Sequence, residues 1–116
     1  MPGPGSSLAA GDVNIGQLEL QSRFFRVLGD PTRLQIVVHL LEGEQSVGEL
    51  VELLEMSQSR VSNHLACLRW CGFVVTRREG RQIYYSVTDR RADRLVATAR
   101  PMIADNAEYI LSCTRL

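Results

Sequence analysis

Three cysteines are the residues of this chain best suited to chemistry. Cys67 and Cys71 stand four positions apart in a segment with helical character, and Cys113 follows much later. On a helix this spacing places two thiols on one side, about one turn apart, where two thiolates can share one soft metal ion. An odd number of cysteines gives little support to a disulfide framework, so metal or redox chemistry is favoured. The alternative is that the cysteines are small buried hydrophobic residues.

A polar surface is predicted on the same helix, which Ser57 begins and Gly72 ends. At about 100° per residue, Val61, Leu65 and Leu68 share one arc that should pack on the core. The opposite arc is small and polar, and such side chains can hydrogen-bond base edges in a major groove. Its members are Ser59, Ser62, Asn63 and Ala66, with Gln58 at the N-terminal edge. A solvated face without a ligand is the alternative.

The charge of the chain is zero overall but unevenly distributed. Residues 42–55 contain five acidic residues and no basic residue, whereas residues 56–94 contain eight arginines and three acidic residues. A local field of this kind attracts phosphate even when the average charge does not. Arg77, Arg78 and Arg81 surround a predicted turn, where they suit contacts with a DNA backbone or minor groove.

Local signals predict the helices that position these groups. Residues 17–28 form a first helix. Asp30 caps a second, almost wholly apolar helix with Pro31 at its first position. Ser46 and Glu49 form a capping box that begins a third helix. The third and fourth helices, joined by a tight turn, make a helix-turn-helix.

The pattern changes after Gly72. Residues 73–77 and 82–87 are β-branched and aromatic around Glu79 and Gly80, which predicts a β-hairpin. Asp89 caps a last helix, in which Pro101 should produce a kink. The fold class is therefore mainly α with a β-hairpin wing, a winged helix-turn-helix. Residues 1–16 are expected to form a disordered arm, and residues 17–116 the DNA-binding and dimerisation domain.

The length and composition limit the classes of protein that remain. The 116 residues suit one domain, and helical dimerisation would compensate for the small core of a monomer. No apolar run approaches the roughly 18 residues needed to span a bilayer, and no export signal is evident. We therefore expect a cytoplasmic protein with no membrane partner.

The stretch 28–87 resembles the ArsR/SmtB family of metal-sensing repressors. The specific segments are the DPTR opening at 30–33, the SQSRVSNHLACLR helix at 57–69 and EGRQIYYSV at 79–87. The resemblance implies a homodimer built from the first and last helices that binds double-stranded operator DNA. It carries the DNA contacts onto Gln58, Ser59, Arg60, Ser62, Asn63 and His64.

The resemblance also bears on the metal site. Ser46 and Gly48 stand where the family's arsenic sensors carry Cys-x-Cys, and Arg91 and Met102 stand where its zinc sensors carry histidines. Residues 64–72, HLACLRWCG, instead resemble the helix of its cadmium/lead sensors, with Cys113 as a third ligand. The surroundings of Cys113 do not match that pattern. Three thiolates without a carboxylate favour Cd(II), Pb(II) or Hg(II) over Zn(II), and two thiolates already satisfy Hg(II).

The sequence therefore predicts a repressor that leaves its operator when Cd(II), Pb(II) or Hg(II) binds Cys67, Cys71 and Cys113, so that metal-resistance genes are expressed. A thiol-based redox-sensing repressor and a dimerisation module that does not bind DNA are the alternatives. The spacing of Cys67 and Cys71 opposes a disulfide within the helix, while a link to Cys113 stays open. An enzyme using Cys67 and His64 is not expected, because no orienting group or oxyanion-binding loop accompanies them.

Overall fold

The computed structural model describes residues 14–113. Most of the predicted arm, residues 1–13, lies outside the described residues; Asn14 caps the first helix, which begins two residues before the predicted position. Among the described residues, no helix is long and apolar enough to cross a membrane. The elements in chain order are α1 (Ile15–Leu28), α2 (Pro31–Glu42), β1 (Gln45–Ser46), α3 (Val47–Leu54), α4 (Gln58–Trp70), β2 (Val74–Glu79), β3 (Gln82–Val87) and α5 (Arg91–Ser112).

The predicted helix starts are confirmed by side-chain caps. The carboxylate of Asp30 accepts the backbone N–H of Arg33 at 2.9 Å, with Pro31 as the first residue of α2. At the start of α3, Ser46 and Glu49 exchange both hydrogen bonds of a capping box, at 2.9 and 3.2 Å. Each cap satisfies an N–H that the first helical turn leaves without a partner.

The hairpin belongs to a three-stranded antiparallel sheet with the order β1-β3-β2. The register pairs Arg77 with Tyr84 on one side and Ser46 with Tyr84 on the other. The turn contains Gly80 in the left-handed region, at φ 61°. Strand β1 was not predicted, because two residues are too short to show an alternating pattern.

The core lies between α2, α3, α4 and the base of the hairpin. Helix α2 is central to it, as predicted, and contributes Ile36, Val37 and Leu40. The other buried hydrophobic residues are Leu50, Leu54, Val61, Leu65, Leu68, Phe73, Val74 and Val87. Helices α1 and α5 contain no buried residue within the single chain, although both present large apolar side chains.

The last helix departs from the prediction in two places. Its N-cap is Arg90, one residue after the predicted Asp89, although the Asp89 carboxylate still accepts the N–H of Arg91 at 2.9 Å. The kink predicted at Pro101 is wrong, because the helix runs through Pro101 and is interrupted at Asn106 (φ −124°, ψ 16°). The Asn106 amide donates to the carbonyl of Met102 at 2.8 Å, so a side chain competes there with the helical backbone.

Candidate nucleic-acid interface and thiol pair

Helix α4 has the two faces that its sequence predicts. Val61, Leu65 and Leu68 are completely buried and fix the helix on the core. The side chains predicted to contact DNA lie outside this face and are exposed: Gln58, Ser59, Arg60, Ser62 and Asn63. Glu55 adopts a left-handed conformation at φ 53° in the turn that joins α3 to α4. A buried apolar face thus presents a polar face of a size suited to a DNA major groove.

His64 differs from its neighbours because it is half-buried and faces α2. Its Nδ1 lies 3.8 Å from an oxygen of Asp30, the same oxygen that caps α2. The N–H of Arg33 and, to a smaller extent, the charge of His64 hold the pKa of Asp30 below its ordinary value. His64 therefore links α4 to the start of α2. Its predicted DNA contact stays a prediction.

Arg77 is the wing arginine with the most internal partners. Its Nε donates to both oxygens of Glu44, at 3.0 and 2.8 Å, and its Nη1 donates to Glu79 at 2.9 Å. The guanidinium carbon lies 4.7 Å from the centre of the Tyr84 ring. These contacts raise the pKa of Arg77, and the same pair lowers the pKa of Glu44. The sequence contained no signal for Glu44, which lies 33 positions from Arg77.

Arg78 and Arg81 lie nearer the tip of the wing and are exposed. Within residues 14–113, neither side chain makes a hydrogen bond or ion pair. Arg78 pairs with Ile83 across the hairpin, while Arg81 follows Gly80 in the turn. Of the three predicted wing contacts, these two arginines are the ones free to meet phosphate.

The thiol pair lies at the C-terminal end of α4. Cys67 is half-buried, Cys71 is exposed, and both are free thiols. Burial raises the pKa of the Cys71 thiol, and the neighbouring Cys67 raises it further, so the two groups are close enough to interact. The structure thus brings two of the three predicted ligands together.

Cys113 is exposed and ends α5. Across residues 14–113 of one chain, no three His, Cys, Asp or Glu side chains form a group that could hold a metal ion. Cys113 does not join the thiol pair within one chain. The donor set of a single chain therefore fits an ion satisfied by two thiolates better than one that needs three or four ligands.

The arrangement of α3, α4 and the β2–β3 wing defines a winged helix-turn-helix protein. Residues 30–76 match the family described as "Bacterial regulatory protein, arsR family". The chain is also 45% identical over 115 residues to a "Probable mercury resistance operon repressor" of Streptomyces lividans, which covers 99% of this chain and 92% of that protein. The chain therefore belongs to the arsR family of bacterial regulatory proteins.

Two solved structures support the family and the fold. The cadmium sensor CmtR of Mycobacterium tuberculosis is 45% identical with a TM-score of 0.58, over 66% of this chain and 80% of that chain. A homodimeric winged helix-turn-helix DNA-binding domain from Mycobacterium bovis is 30% identical with a TM-score of 0.67, over 91% of this chain and 92% of that chain. The matched relatives are transcriptional regulators, so the class expected from the sequence is confirmed.

Proposed function

We propose that this chain is a transcriptional repressor that binds operator DNA as a homodimer and dissociates when a thiophilic metal ion binds Cys67 and Cys71. The observation that carries the proposal is the position of the thiol pair on α4, the helix whose exposed face is suited to reading DNA. One helix thus holds both the candidate sensing site and the candidate DNA-reading surface. Since the partner is DNA, we place the protein in the cytoplasm.

Operator contacts are assigned by charge and exposure. Gln58, Ser62 and Asn63 are small or polar, exposed, and able to hydrogen-bond base edges. Arg78 and Arg81 are assigned to phosphate, since their guanidinium groups are free among the described residues. Arg77 is assigned to holding the wing in place, although the sequence favoured a phosphate contact for it as well.

Dimerisation is supported by the apolar surfaces of α1 and α5. Leu18, Phe24 and Phe25 of α1 are between 40% and 49% exposed in the single chain, and Met102 and Ile103 of α5 are 64% and 51% exposed. Apolar surfaces of this extent mark interaction sites in soluble proteins. The homodimeric relative shares this fold over nearly its whole length, which favours a second copy as the partner.

Mercury(II) is the inducer that the site supports best. Two interacting thiols satisfy the preference of Hg(II) for sulfur without a further ligand, and a relative with 45% identity is described as a mercury resistance repressor. Cd(II) and Pb(II) require additional donors. Cys113 would have to supply one, and in a homodimer joined through α5 the partner protomer is a source of that thiol.

Release from DNA follows from where the metal binds. A metal that fixes the end of α4 would hold the two reading helices of the dimer at a spacing unsuited to half-sites one helical turn apart. Metal binding lowers DNA affinity only if the free dimer binds metal more tightly than the DNA complex does. Regulated genes for metal export or detoxification fit this logic.

Fluorescence anisotropy on labelled promoter DNA, with metal added to the reduced dimer, tests the proposal. Cys67→Ser and Cys71→Ser should keep DNA binding but lose release by Hg(II), while Cys113→Ser should keep it. Release of both serine variants at the wild-type Hg(II) concentration would place the sensing site elsewhere. Release by an oxidant in the absence of metal, reversed by a reductant, would instead support the redox-sensing alternative.

A further inference from the structure

A groove of about 490 Å³ lies beside the thiol pair, and Cys71 forms part of its wall. Helix α1, the segment after α4 and the start of α5 enclose it. Its aromatic side chains are Phe24, Phe25 and Phe73, with the rings of Phe24 and Phe73 centred 4.8 Å apart. The volume falls in the range of about 300–1,000 Å³ that is typical of pockets for small organic ligands.

The chemistry of the groove is apolar apart from the thiol and one neutralised pair. Asp89 and Arg91 lie at its edge, where their side chains are 2.6 Å apart and satisfy each other's charge. Gly72, next to Cys71, has φ 80°, and a Cβ there would meet nothing within 4 Å, so the groove stays open beside the thiol. A molecule that combines a thiol-binding atom with an apolar group would match both features.

We propose that this groove receives the organic group of an organomercury cation, R–Hg⁺, whose mercury binds Cys71 with Cys67 beside it. This inference rests on the proposed function, because it names a ligand class for the same thiol pair. In the binding step the S–H bond of Cys71 is broken and an S–Hg bond forms, with the proton released to solvent. The carbon–mercury bond stays intact, and no atom is oxidised or reduced.

The ligand count favours this class of inducer. Carbon already occupies one position on the mercury of R–Hg⁺, so a single thiolate completes a two-coordinate ion. No third sulfur is required, which agrees with the separation of Cys113 from the thiol pair within one chain. An aryl group placed against Phe24, Phe25 and Phe73 would gain offset or edge-to-face ring contacts in addition to burial.

Trp70 provides a direct measure of binding. It is the sole tryptophan of the sequence, is 91% exposed, and directly precedes Cys71. Mercury bound at Cys71 should quench its fluorescence through the heavy-atom effect. We would titrate the reduced full-length dimer with phenylmercury, methylmercury and Hg(II), each buffered by an excess of a small competing thiol, and compare the three apparent affinities.

The variant that tests the groove is Gln21→Phe, because Gln21 is an exposed residue of α1 that lines it. Gln17→Phe is the matched control, since it makes the same substitution one turn earlier on the same helix and outside the lining. We expect Gln21→Phe to weaken phenylmercury binding at least about tenfold, with methylmercury and Hg(II) changed less than about twofold. Ala92→Leu, on the opposite wall, should act in the same direction.

Three outcomes would overturn the inference. Equal effects of Gln21→Phe on phenylmercury and Hg(II) would mean that the organic group lies in solvent. Loss of the dimer in Gln21→Phe but not in Gln17→Phe, measured by sedimentation, would mean that a second copy fills the groove. Release of the wild-type dimer from DNA by Hg(II) but not by phenylmercury would refute this inference alone, whereas no release by either would refute the proposed function.

Discussion

Arg77 on the wing and Glu44 before β1 form a two-point contact, with Nε of the arginine 3.0 and 2.8 Å from the two carboxylate oxygens. The contact joins the wing to the segment that leads into the helix-turn-helix. Both side chains are partly exposed, so the pair contributes little to stability by itself. Its consequence is positional, because a guanidinium already facing two carboxylates and a tyrosine ring is poorly placed to neutralise phosphate.

The wing arginines should therefore differ in the salt dependence of DNA binding. Arg78→Ala and Arg81→Ala should each reduce the slope of log K against log salt by about one, the value expected for one lost phosphate contact. Arg77→Ala should change the slope by less than half as much. Measuring the affinity for operator and unrelated DNA at several salt concentrations checks this. A full unit lost in Arg77→Ala would show that the arginine leaves Glu44 when DNA binds.

The two faces of α4 should separate stability from DNA binding. Leu65→Ala removes a completely buried side chain and should lower the free energy of unfolding by about 2–5 kcal/mol. Asn63→Ala alters an exposed position and should change stability by less than about 0.5 kcal/mol while weakening specific operator binding. Denaturant unfolding and anisotropy on the same samples give both quantities. Specific binding that survives Asn63→Ala would remove this residue from the reading face.

The cap of α2 predicts a defined dependence of stability on pH. The pKa of Asp30 lies below its ordinary value of 3.8, so its contribution is present above that value and is lost as pH falls through the lowered pKa. Asp30→Ala should cost about 0.5–2 kcal/mol at neutral pH, whereas Asp30→Asn keeps a capping oxygen and should cost less. The difference between wild type and Asp30→Asn should shrink from about pH 5 to about pH 2. Unfolding at fixed protein concentration checks this, and a constant difference would contradict it.

The apolar face of α5 should be required for the dimer. Ile103 is 51% exposed in the single chain, and Ile103→Asp should yield monomers because an unpaired charge would be buried at the interface. Leu95→Asp should act in the same way. Ala97→Asp places the same charge on the opposite side of the helical wheel and serves as the control. Sedimentation velocity reports the oligomeric state, and dimers in both Ile103→Asp and Leu95→Asp would place the interface elsewhere.

The metal ions should differ in their need for the third cysteine. Cys113→Ser should weaken Cd(II) binding at least about tenfold and Hg(II) binding far less, because Cd(II) needs more donors than the thiol pair supplies. Thiolate-to-metal absorption in the ultraviolet measures both ions on the same protein, with Cys71→Ser as the variant that should impair both. Equal losses for the two ions in Cys113→Ser would mean that Hg(II) also uses three thiolates.

Features set by neighbouring residues could be predicted from the sequence. The caps at Asp30, Ser46 and Ser57 depend on groups three positions apart, so they are the same in a short segment and in the folded chain. The division of α4 into buried and exposed arcs follows from helical periodicity, as does the proximity of Cys67 and Cys71. The winged helix-turn-helix and the family were recognisable for the same reason.

Tertiary structure alone decided the features that join distant segments. Glu44 meets Arg77, and Asp30 meets His64, only because packing of the core brings their elements together; no local pattern distinguishes these carboxylates from solvated ones. The interruption of α5 at Asn106 rather than Pro101 depends on a side chain that replaces a helical hydrogen bond. Likewise, the distance between Cys113 and the thiol pair depends on the direction of a 22-residue helix, which spacing along the chain does not specify.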